Sequence, residues 1–322
     1  MTPILTLTLN PTVDYATSTA AVLPERKLRC AEPQVDPGGG GINVSRAILM
    51  LGGQSTALVS IGGPSGARLL ELLALEGVPT VAFQGPGETR LSFSVTDEAA
   101  GHQFRFVTPG PEWGAPDVAR ALATVDRAAH PGSLVVLSGS QPPGVAKEFP
   151  KLLSDHVESH RARLVVDTSG PALRNLVETP HEPLYVLRTD DVEAEEIAGR
   201  PLATAEDTAG FAAALVARGV AEAIIFARGA EGSVLATAEG AWLARPARVE
   251  EVSKIGAGDS FVGAFTLALA LGEPMPEALR HGVAASAAAV ATEATRLCPK
   301  EDVDRLLPLC SVAPVTPAPM PA

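Results

Sequence analysis

The run Ile255–Phe261, Ile-Gly-Ala-Gly-Asp-Ser-Phe, places an aspartate directly after two glycines at the start of an apolar helical segment. Glycines let the backbone turn tightly, and the N–H groups at the start of a helix attract anions. Beside such a site, Asp259 could accept a hydroxyl proton while the amides hold phosphoryl charge, as phosphoryl transfer requires. The alternative is that Asp259 only caps the helix. These residues alone favour neither interpretation.

A second glycine-rich run, Pro37–Val44, leads directly into helical spacing at Ile42, Ala47 and Leu51. Four successive glycines would let a ligand lie close against the backbone, and Asn43 could hydrogen-bond its hydroxyl groups. The spacing differs from that of the dinucleotide-binding fingerprint. Because a helix begins at once, we favour a binding loop over a linker or a tight turn.

Four charged residues outside these runs could bind a ligand, but each of them taken alone has an ordinary explanation. Asp14 follows the first predicted strand, where ligands of α/β sheets bind, but one loop carboxylate is ordinary. Lys27, Arg90 and Arg105 are basic residues in an acidic protein, and a single such residue is by default a solvated surface charge. Their roles therefore depend on whether the fold brings them together.

The elements that must position these residues alternate between strand-like and helical segments. Strands are predicted at Leu5–Leu9, Ala57–Ile61, Ser133–Leu137, Leu164–Asp167, Leu184–Leu187 and Ala223–Ala227. Helices are predicted at Ile42–Leu51, Ala67–Leu75, Ala115–Ala128, Glu206–Ala217, Ala257–Ala270 and Glu277–Ala291. This alternation predicts an α/β fold with a doubly wound, mostly parallel sheet, whose ligands bind beyond the carboxyl ends of the strands.

Two segments interrupt the alternation. Residues 11–36 are irregular and contain proline, whereas residues 88–107 alternate as a hairpin with a turn at Asp97–Gly101. We expect both to form a small β-rich lid on a single domain over residues 1–312, followed by a Pro-rich disordered tail over 313–322. The lid is too small for its own core, so its apolar residues Leu91, Phe93 and Val95 predict a homodimer joined through the lids.

Composition excludes several classes of protein. A net charge of -12 argues against a nucleic-acid or anionic-membrane partner, and no stretch approaches the length of a membrane span. The three cysteines, Cys30, Cys298 and Cys310, fit neither a disulfide framework nor a zinc site. With no signal-peptide pattern at the N-terminus, these features predict a cytoplasmic protein.

Together, these runs resemble the PfkB family of ribokinase-like carbohydrate kinases, from Ile4 to about Leu307. The loop Gly38–Asn43 is similar to the family's first signature, and Gly256–Asp259 is similar to its second, which carries the catalytic aspartate. Other similar runs are Thr6–Leu9, Lys27–Cys30, Thr89–Arg90, Phe104–Val107, Ser138–Ser140, Pro142–Gly144 and Thr295–Cys298. The resemblance implies a ribokinase-like fold with a β-rich lid.

The resemblance also implies a role for individual residues, beginning with Asp259 as catalytic base. The implied sugar-phosphate ligands are Asp14, Lys27, Gly39, Gly40, Asn43, Arg90, Arg105 and Ser140, with Lys27 reaching in from a partner subunit's lid. The implied nucleotide and anion-hole residues are Arg188, Asp190, Gly229, Gly232, Gly256, Ala257 and Gly258. Glu193 would hold Mg²⁺ through water, and a K⁺ site would be formed by Ser253, Ile255, Ala289 and Arg296.

Three positions depart from the family's usual pattern. Asp190 stands where an asparagine is usual, Ala227 replaces a hydroxyl residue before the nucleotide loop, and Lys254 replaces a threonine. Lys254 and Arg228 could supply additional contacts to a triphosphate, since both are positively charged.

The implied activity is transfer of a phosphoryl group from MgATP to a sugar phosphate. The expected acceptor is the 1-hydroxyl of fructose 6-phosphate, which gives fructose 1,6-bisphosphate. Fructose 1-phosphate and tagatose 6-phosphate are the alternative substrates. A protein of another class, a sugar-phosphate sensor without catalysis, is suggested by Asp190 and Ala227.

Overall fold

Ten strands form one large sheet with a parallel centre and an antiparallel edge. The computed structural model describes residues 1–293 and 295–319, and the sheet order is β14-β13-β12-β11-β10-β9-β8-β1-β4-β5. Its strands are β1 (Ile4–Thr8), β4 (Thr56–Ile61), β5 (Thr80–Gln84), β8 (Leu134–Ser138), β9 (Arg163–Asp167), β10 (Leu184–Thr189), β11 (Ala221–Ala227), β12 (Ser233–Thr237), β13 (Gly240–Arg245) and β14 (Ser311–Pro314). Pairings from β11 to β5 are parallel, and those from β11 to β14 are antiparallel.

Helices cover both faces of this sheet. Their bounds are α1 (Gly40–Met50), α2 (Gly63–Leu75), α3 (Ala115–Ala128), α4 (Phe149–Ser159), α5 (Gly170–Glu178), α6 (Asp191–Ala198), α7 (Ala205–Ala217), α8 (Ala257–Leu271), α9 (Met275–Val290) and α10 (Lys300–Leu306). Two short 3-10 turns span Gly229–Glu231 and Leu307–Leu309. The predicted α/β fold and its mostly parallel sheet are confirmed.

Strand alternation divides the core into two apolar layers. In β8, Val135 and Leu137 pack with helices α3, α4, α5 and α7, whereas Leu134 and Val136 pack with α1, α8 and α9. Successive side chains of a strand point to opposite faces, so a run of buried aliphatic residues can fill both layers. Burial on both faces fixes the sheet and therefore the positions of its carboxyl ends.

Four strands form a second, smaller sheet in the order β3-β2-β6-β7. They are β2 (Thr12–Thr19), β3 (Gln34–Gly38), β6 (Arg90–Asp97) and β7 (His102–Val107). The predicted hairpin is confirmed as β6 and β7. The irregular structure predicted for residues 11–36 is wrong where β2 and β3 lie. Both strands are formed by pairing within the small sheet, where β2 pairs with β3 and with the distant β6, and the local sequence does not show such pairing.

The predicted disordered tail is also wrong at its start. Residues 313 and 314 belong to β14, which pairs with β13 along Trp242–Arg245. Beyond the strand, the Val315 amide donates to the Ala241 carbonyl, and the Ala318 amide donates to the Glu206 carbonyl. Proline is compatible with an edge strand, because its missing N–H can face away from the neighbouring strand. The proline content of this segment therefore did not indicate disorder. The remainder of the predicted tail, residues 320–322, lies outside the described residues.

Candidate active site

Asp259 is the third residue of α8, in its first turn and not at its N-cap. Gly256 is the N-cap, with φ of +74°, a conformation that strongly favours glycine. The Asp259 carboxylate instead faces α1, where its Oδ2 accepts a hydrogen bond of 2.9 Å from the Asn43 amide. Its Oδ1 lies 3.5 Å from the Ser138 hydroxyl. The helix-cap interpretation of Asp259 is therefore wrong.

The surroundings of Asp259 suit a proton acceptor that works near neutral pH. Burial raises the pKa of Asp259 from its ordinary value of 3.8 to about 6, and the negative charge of Asp167 acts in the same direction. The hydrogen bond from Asn43 and the positive charge of Arg188 oppose this rise in pKa. A carboxyl group with such a pKa is ionised at pH 7 yet basic enough to take a proton in a transition state.

The carboxyl ends of β8, β9 and β10 supply a polar cluster beside Asp259. The Ser138 hydroxyl donates to Asp167 at 3.1 Å, and the Arg188 guanidinium donates to Asp167 at 2.8 Å. A Cβ atom on Gly258 would lie 3.0 Å from Arg188, so glycine lets the start of α8 approach that guanidinium. Ser138 and Asp167 were not assigned from the sequence as site residues. Their positions at the ends of predicted parallel strands were the available signal.

The predicted glycine loop lies against the same strand ends. Gly39 is the N-cap of α1 with φ of +116°, which a side chain would strain. A Cβ atom on Gly40 would lie 2.5 Å from the Ser138 hydroxyl oxygen, and one on Gly38 would collide with the Asp14 carboxylate. The loop therefore joins Asp14 on the small sheet to the Asp259 cluster with no room for side chains.

The small sheet carries a polar face made by strand register. Thr12 pairs with Arg90, Asp14 with Ser92, and Ser94 with Arg105, so these side chains share one face. Burial raises the pKa of Asp14, while the positive charges of Arg90 and Arg105 oppose that rise. Asp14, Arg90 and Arg105, predicted separately, thus lie on the same surface.

Asn10 connects this surface to the strand ends. The Arg90 guanidinium donates to the Asn10 carbonyl at 3.2 Å, and the Asn10 amide donates to the Ser140 hydroxyl at 3.3 Å. Asn10 lies four residues before Asp14, and no role was assigned to it from the sequence. Lys27 lies apart from these residues, exposed in the loop between β2 and β3.

The unusual Asp190 and the basic residue Arg228 both have structural roles. Asp190 is the N-cap of α6, and its Oδ1 accepts from the Glu193 amide at 2.9 Å, a task that asparagine and aspartate perform equally well. Arg228 donates to the carbonyl oxygens of Leu202, Ala203 and Thr204 and pairs with Glu231. The expectation that Arg228 contacts a triphosphate is therefore not supported, because its guanidinium is committed to the protein.

The remaining nucleotide-side residues lie in the turn after β11, in the segment before α8 and in α6. The turn Gly229–Glu231 is followed by Gly232, where a Cβ atom would collide with the Ala244 carbonyl. Lys254 is exposed beside Glu251, at 3.5 Å. Burial raises the pKa of Glu193, whose carboxylate accepts a hydrogen bond from the Thr189 hydroxyl.

The loop before α8 adjoins the end of α9, as the implied cation site requires. The Ser253 amide donates to the Val290 carbonyl at 3.1 Å, and Ile255 donates its amide to the Ser253 hydroxyl at 3.2 Å. The Ala289 carbonyl already accepts from Thr292. Arg296 is exposed, two residues beyond the undescribed position 294.

Comparison with known proteins identifies the architecture. The model of the "pfkB family carbohydrate kinase" matches residues 7–302. The chain belongs to the pfkB family of carbohydrate kinases. Among the relatives of this pfkB-family kinase is the ATP-dependent 6-phosphofructokinase isozyme 2 of Escherichia coli, 38% identical over 306 residues, which are 95% of this chain and 98% of the relative.

Solved structures agree with the family. The crystal structure of phosphofructokinase-2 from Escherichia coli in complex with fructose-6-phosphate matches with a TM-score of 0.89 and 36% identity, covering 96% of this chain and 99% of the other. Arabidopsis thaliana ribokinase in complex with ribose and ATP matches with a TM-score of 0.71 at 18% identity, over 95% of this chain and 99% of that one. The second match shows that this pfkB-family kinase has a ribokinase-like fold.

Two features are absent from the described residues, 1–293 and 295–319. None of the helices there is long and apolar enough to cross a membrane. No three His, Cys, Asp or Glu side chains in that part of the kinase cluster closely enough to hold a metal ion by themselves.

Proposed function

We propose that this pfkB-family kinase transfers the γ-phosphoryl group of ATP to the 1-hydroxyl of fructose 6-phosphate and forms fructose 1,6-bisphosphate. The observation that carries the proposal is that Asp259, a proton acceptor, and a surface bearing Arg90 and Arg105 are joined by one glycine loop. The relatives named for 6-phosphofructokinase, including one in complex with fructose-6-phosphate, support the same acceptor.

The basic residues favour a phosphorylated sugar over a free one. Arg90 and Arg105 lie on neighbouring strands, and both place positive charge near the Asp14 carboxylate. Charge-assisted hydrogen bonds from arginine to phosphate are among the strongest that a protein can offer a substrate. Asp14, Asn43 and Ser140 would bind hydroxyl groups of the sugar, while the backbone at Gly39 and Gly40 lies close against it.

The start of α8 would hold the phosphoryl group during transfer. The N–H groups of the first helical turn lack acceptors within the helix, and here they belong to Gly256, Ala257 and Gly258. Arg188 contributes a fixed positive charge, and its buried Nε has no hydrogen-bond acceptor among the residues described. This orphaned donor fits an anionic ligand, and the neighbouring Asp190, Gly229 and Gly232 would border the nucleotide.

Two ions accompany this assignment. Mg²⁺ bound to ATP would neutralise phosphate charge, and Glu193 would hold it through water. A K⁺ ion would be bound by carbonyl oxygens of Ser253, Ile255, Ala289 and Arg296, whose segments adjoin through the Ser253–Val290 hydrogen bond.

The proposed reaction begins with the substrate hydroxyl directed at the Asp259 carboxylate. As the hydroxyl oxygen bonds to the γ-phosphorus, its proton passes to Asp259 and the bond to the leaving ADP oxygen breaks. The α8 amides and Arg188 stabilise charge on the transferring phosphoryl oxygens. Asn43 keeps the carboxylate in place throughout.

A homodimer is the second part of the proposal. On the small sheet, Phe93, Phe104 and Phe106 expose between 37% and 55% of their surface, opposite to the polar face. A second copy of the same sheet would cover this apolar surface and bring Lys27 of one chain towards the neighbouring site. In this assembly the small sheet acts as the lid.

A kinase assay with a substrate panel tests the proposal. ADP release is followed with ATP and fructose 6-phosphate, fructose 1-phosphate, tagatose 6-phosphate or free fructose, and ³¹P NMR identifies the product. We expect the highest kcat/KM with fructose 6-phosphate and a new phosphate on its 1-hydroxyl. A higher kcat/KM with free fructose than with fructose 6-phosphate would overturn the assignment. Binding of fructose 6-phosphate without turnover would also overturn it and would indicate a sensor.

A further inference from the structure

Asn43 lies between two charged partners of opposite sign. Its Nδ2 donates to the Asp259 carboxylate at 2.9 Å, while its Oδ1 accepts from the Arg46 guanidinium at 3.3 Å. A carboxylate only accepts hydrogen bonds and a guanidinium only donates them. Both partners therefore require the same orientation of the amide, and a flipped Asn43 would lose both contacts.

Arg46 is itself held on three sides. Its Nε and Nη2 bind the two carboxylate oxygens of Glu76 at 2.6 and 2.8 Å, and its Nη1 also donates to the Pro37 carbonyl at 3.2 Å. The Arg46 side chain is only 6% exposed, whereas Glu76, at the end of α2, is 31% exposed. The ion pair is bidentate, so the guanidinium plane is fixed together with the Nη1 that reaches Asn43.

The contacts form one chain from the outside of α2 to the candidate base: Glu76, Arg46, Asn43, Asp259. We propose that Arg46, fixed by Glu76, is a positioning residue that sets the orientation of the Asn43 amide and thereby the state of the Asp259 carboxylate. This inference rests on the proposed role of Asp259 as the base. Arg46 touches neither substrate nor the reacting atoms in this arrangement.

Replacing Arg46 should raise the pKa of Asp259, in addition to loosening its position. Without the donor at its Oδ1, the Asn43 amide is free to rotate and present oxygen to the carboxylate, which disfavours the ionised form. The charged groups that face Asp259 are Asp167 at the end of β9 and Arg188 at the end of β10, and Ser138 of β8 is its other hydrogen-bonding neighbour. These groups stay in place when Arg46 is replaced. Arg46→Lys also keeps the positive charge, so a shift in the titration of Asp259 that persists in that variant reports on the Asn43 amide and not on lost charge.

The experiment is a pH profile of kcat for Arg46→Met, Arg46→Lys and Glu76→Gln, with fructose 6-phosphate and ATP saturating. We expect the acidic limb of Arg46→Met to move up by about one pH unit, so that kcat near pH 6 falls about fivefold while the loss shrinks at higher pH. Lysine can keep the charge pair with Glu76 but lacks the planar fork of arginine. Arg46→Lys should therefore be more thermally stable than Arg46→Met, while its acidic limb should stay above that of the wild type. Glu76→Gln should shift it less, in the same direction.

A double-mutant cycle separates positioning from general damage. In an Asn43→Ala background, Arg46→Met should produce no further change in kcat or in the acidic limb, because its effect passes through Asn43. The matched control is Arg68→Met, which removes an exposed arginine of the Arg68–Glu71 pair on α2 and should leave the profile unchanged. Additive effects of Arg46→Met and Asn43→Ala, or lower stability with an unmoved limb, would overturn the inference.

A readout without turnover keeps this test separate from the proposed function. The pH dependence of the difference in unfolding free energy between each protein and its Asp259→Asn derivative reports the pKa of Asp259 directly. We expect that pKa to be higher in Arg46→Lys and Glu76→Gln than in the wild type, whether or not Arg46→Met folds. If the wild type fails to phosphorylate fructose 6-phosphate but these shifts are present, only the substrate assignment fails. Unshifted pKa values in an active enzyme refute the positioning role alone.

Discussion

Asn43 and Asp259 are separated by 216 positions, yet the side-chain amide of the first donates a 2.9 Å hydrogen bond to the carboxylate of the second. The contact joins the two glycine-rich runs, one at the start of α1 and the other at the start of α8. Each run permits a ligand near a helix N-terminus, and their meeting places a carboxylate between them.

Replacing Asp259 by asparagine should abolish most catalysis while preserving the fold. Asparagine fills the same volume and can turn its oxygen towards the Asn43 amide, but it cannot accept the proton. We expect kcat to fall by roughly 10²–10⁴-fold, with a much smaller change in KM for fructose 6-phosphate. Steady-state kinetics and circular dichroism check this, and retained kcat in a folded variant would refute the role of Asp259 as base.

The raised pKa of Asp259 should appear in both activity and stability. Because the base must be ionised, kcat of the wild type should rise with pH through about 6. The folded-state pKa lies above the ordinary 3.8, so the stability that protonated Asp259 contributes is complete below about pH 4 and lost as pH rises through 6. Asparagine at position 259 stays neutral at every pH. The unfolding free energy of Asp259→Asn relative to the wild type should therefore increase as pH rises from about 4 through 6. Urea unfolding at several pH values measures this difference, which a flat profile would contradict.

Arg105 should contribute to binding of the sugar phosphate more than to catalysis. Its guanidinium is exposed on the polar face of the lid, so Arg105→Ala removes a phosphate contact without opening the core. We expect KM for fructose 6-phosphate to rise by about tenfold or more, since a charge-assisted bond contributes about 1.5–3 kcal/mol. The control Arg68→Ala replaces an exposed arginine of α2 and should leave KM unchanged. An unchanged KM in Arg105→Ala would remove this residue from the site.

Phe106 should hold two copies of the chain together. It is 55% exposed on the apolar side of the small sheet, and Phe106→Glu would place a charge in the proposed interface. Light scattering at micromolar concentration should give a dimer mass for the wild type and a monomer mass for the variant. Leu309→Glu, at a leucine outside the lid that is 67% exposed, is the control. A monomeric wild type would rule out the proposed assembly.

Arg228 should stabilise the fold of the nucleotide side. Its side chain is 9% exposed and donates to three consecutive backbone carbonyls as well as to Glu231. We expect Arg228→Met to lower the unfolding free energy by about 2–3 kcal/mol, because the Leu202, Ala203 and Thr204 carbonyls lose a charged hydrogen-bond donor. Arg305→Met, in the exposed Arg305–Asp302 pair, should change it by less than about 0.5 kcal/mol. Urea denaturation compares the two variants, and equal effects would contradict the structural role.

Several features could be predicted from the sequence because they depend on local patterns. Alternating apolar residues and helical spacing located the central strands and most helices, and α3 was predicted with the bounds observed, Ala115–Ala128. Glycines before α1 and α8 indicated binding loops, since only glycine permits such backbone turns and close approach. The helices α4, α5, α6 and α10 and the strands β5 and β12–β14 were not predicted, because proline, glycine and polar residues obscure their periodicity.

The sequence by itself determined which residues could do chemistry and in which kind of loop each would lie. Only the tertiary structure decided which of them meet. Asp259 is a candidate base because Asn43 and Ser138 face it from other elements, and its pKa rises because the packed sheet and helices exclude water. Arg228 looked available to a phosphate, but distant carbonyls occupy its donors. Burial and partner choice depend on contacts between segments far apart in the chain, and no local pattern encodes them.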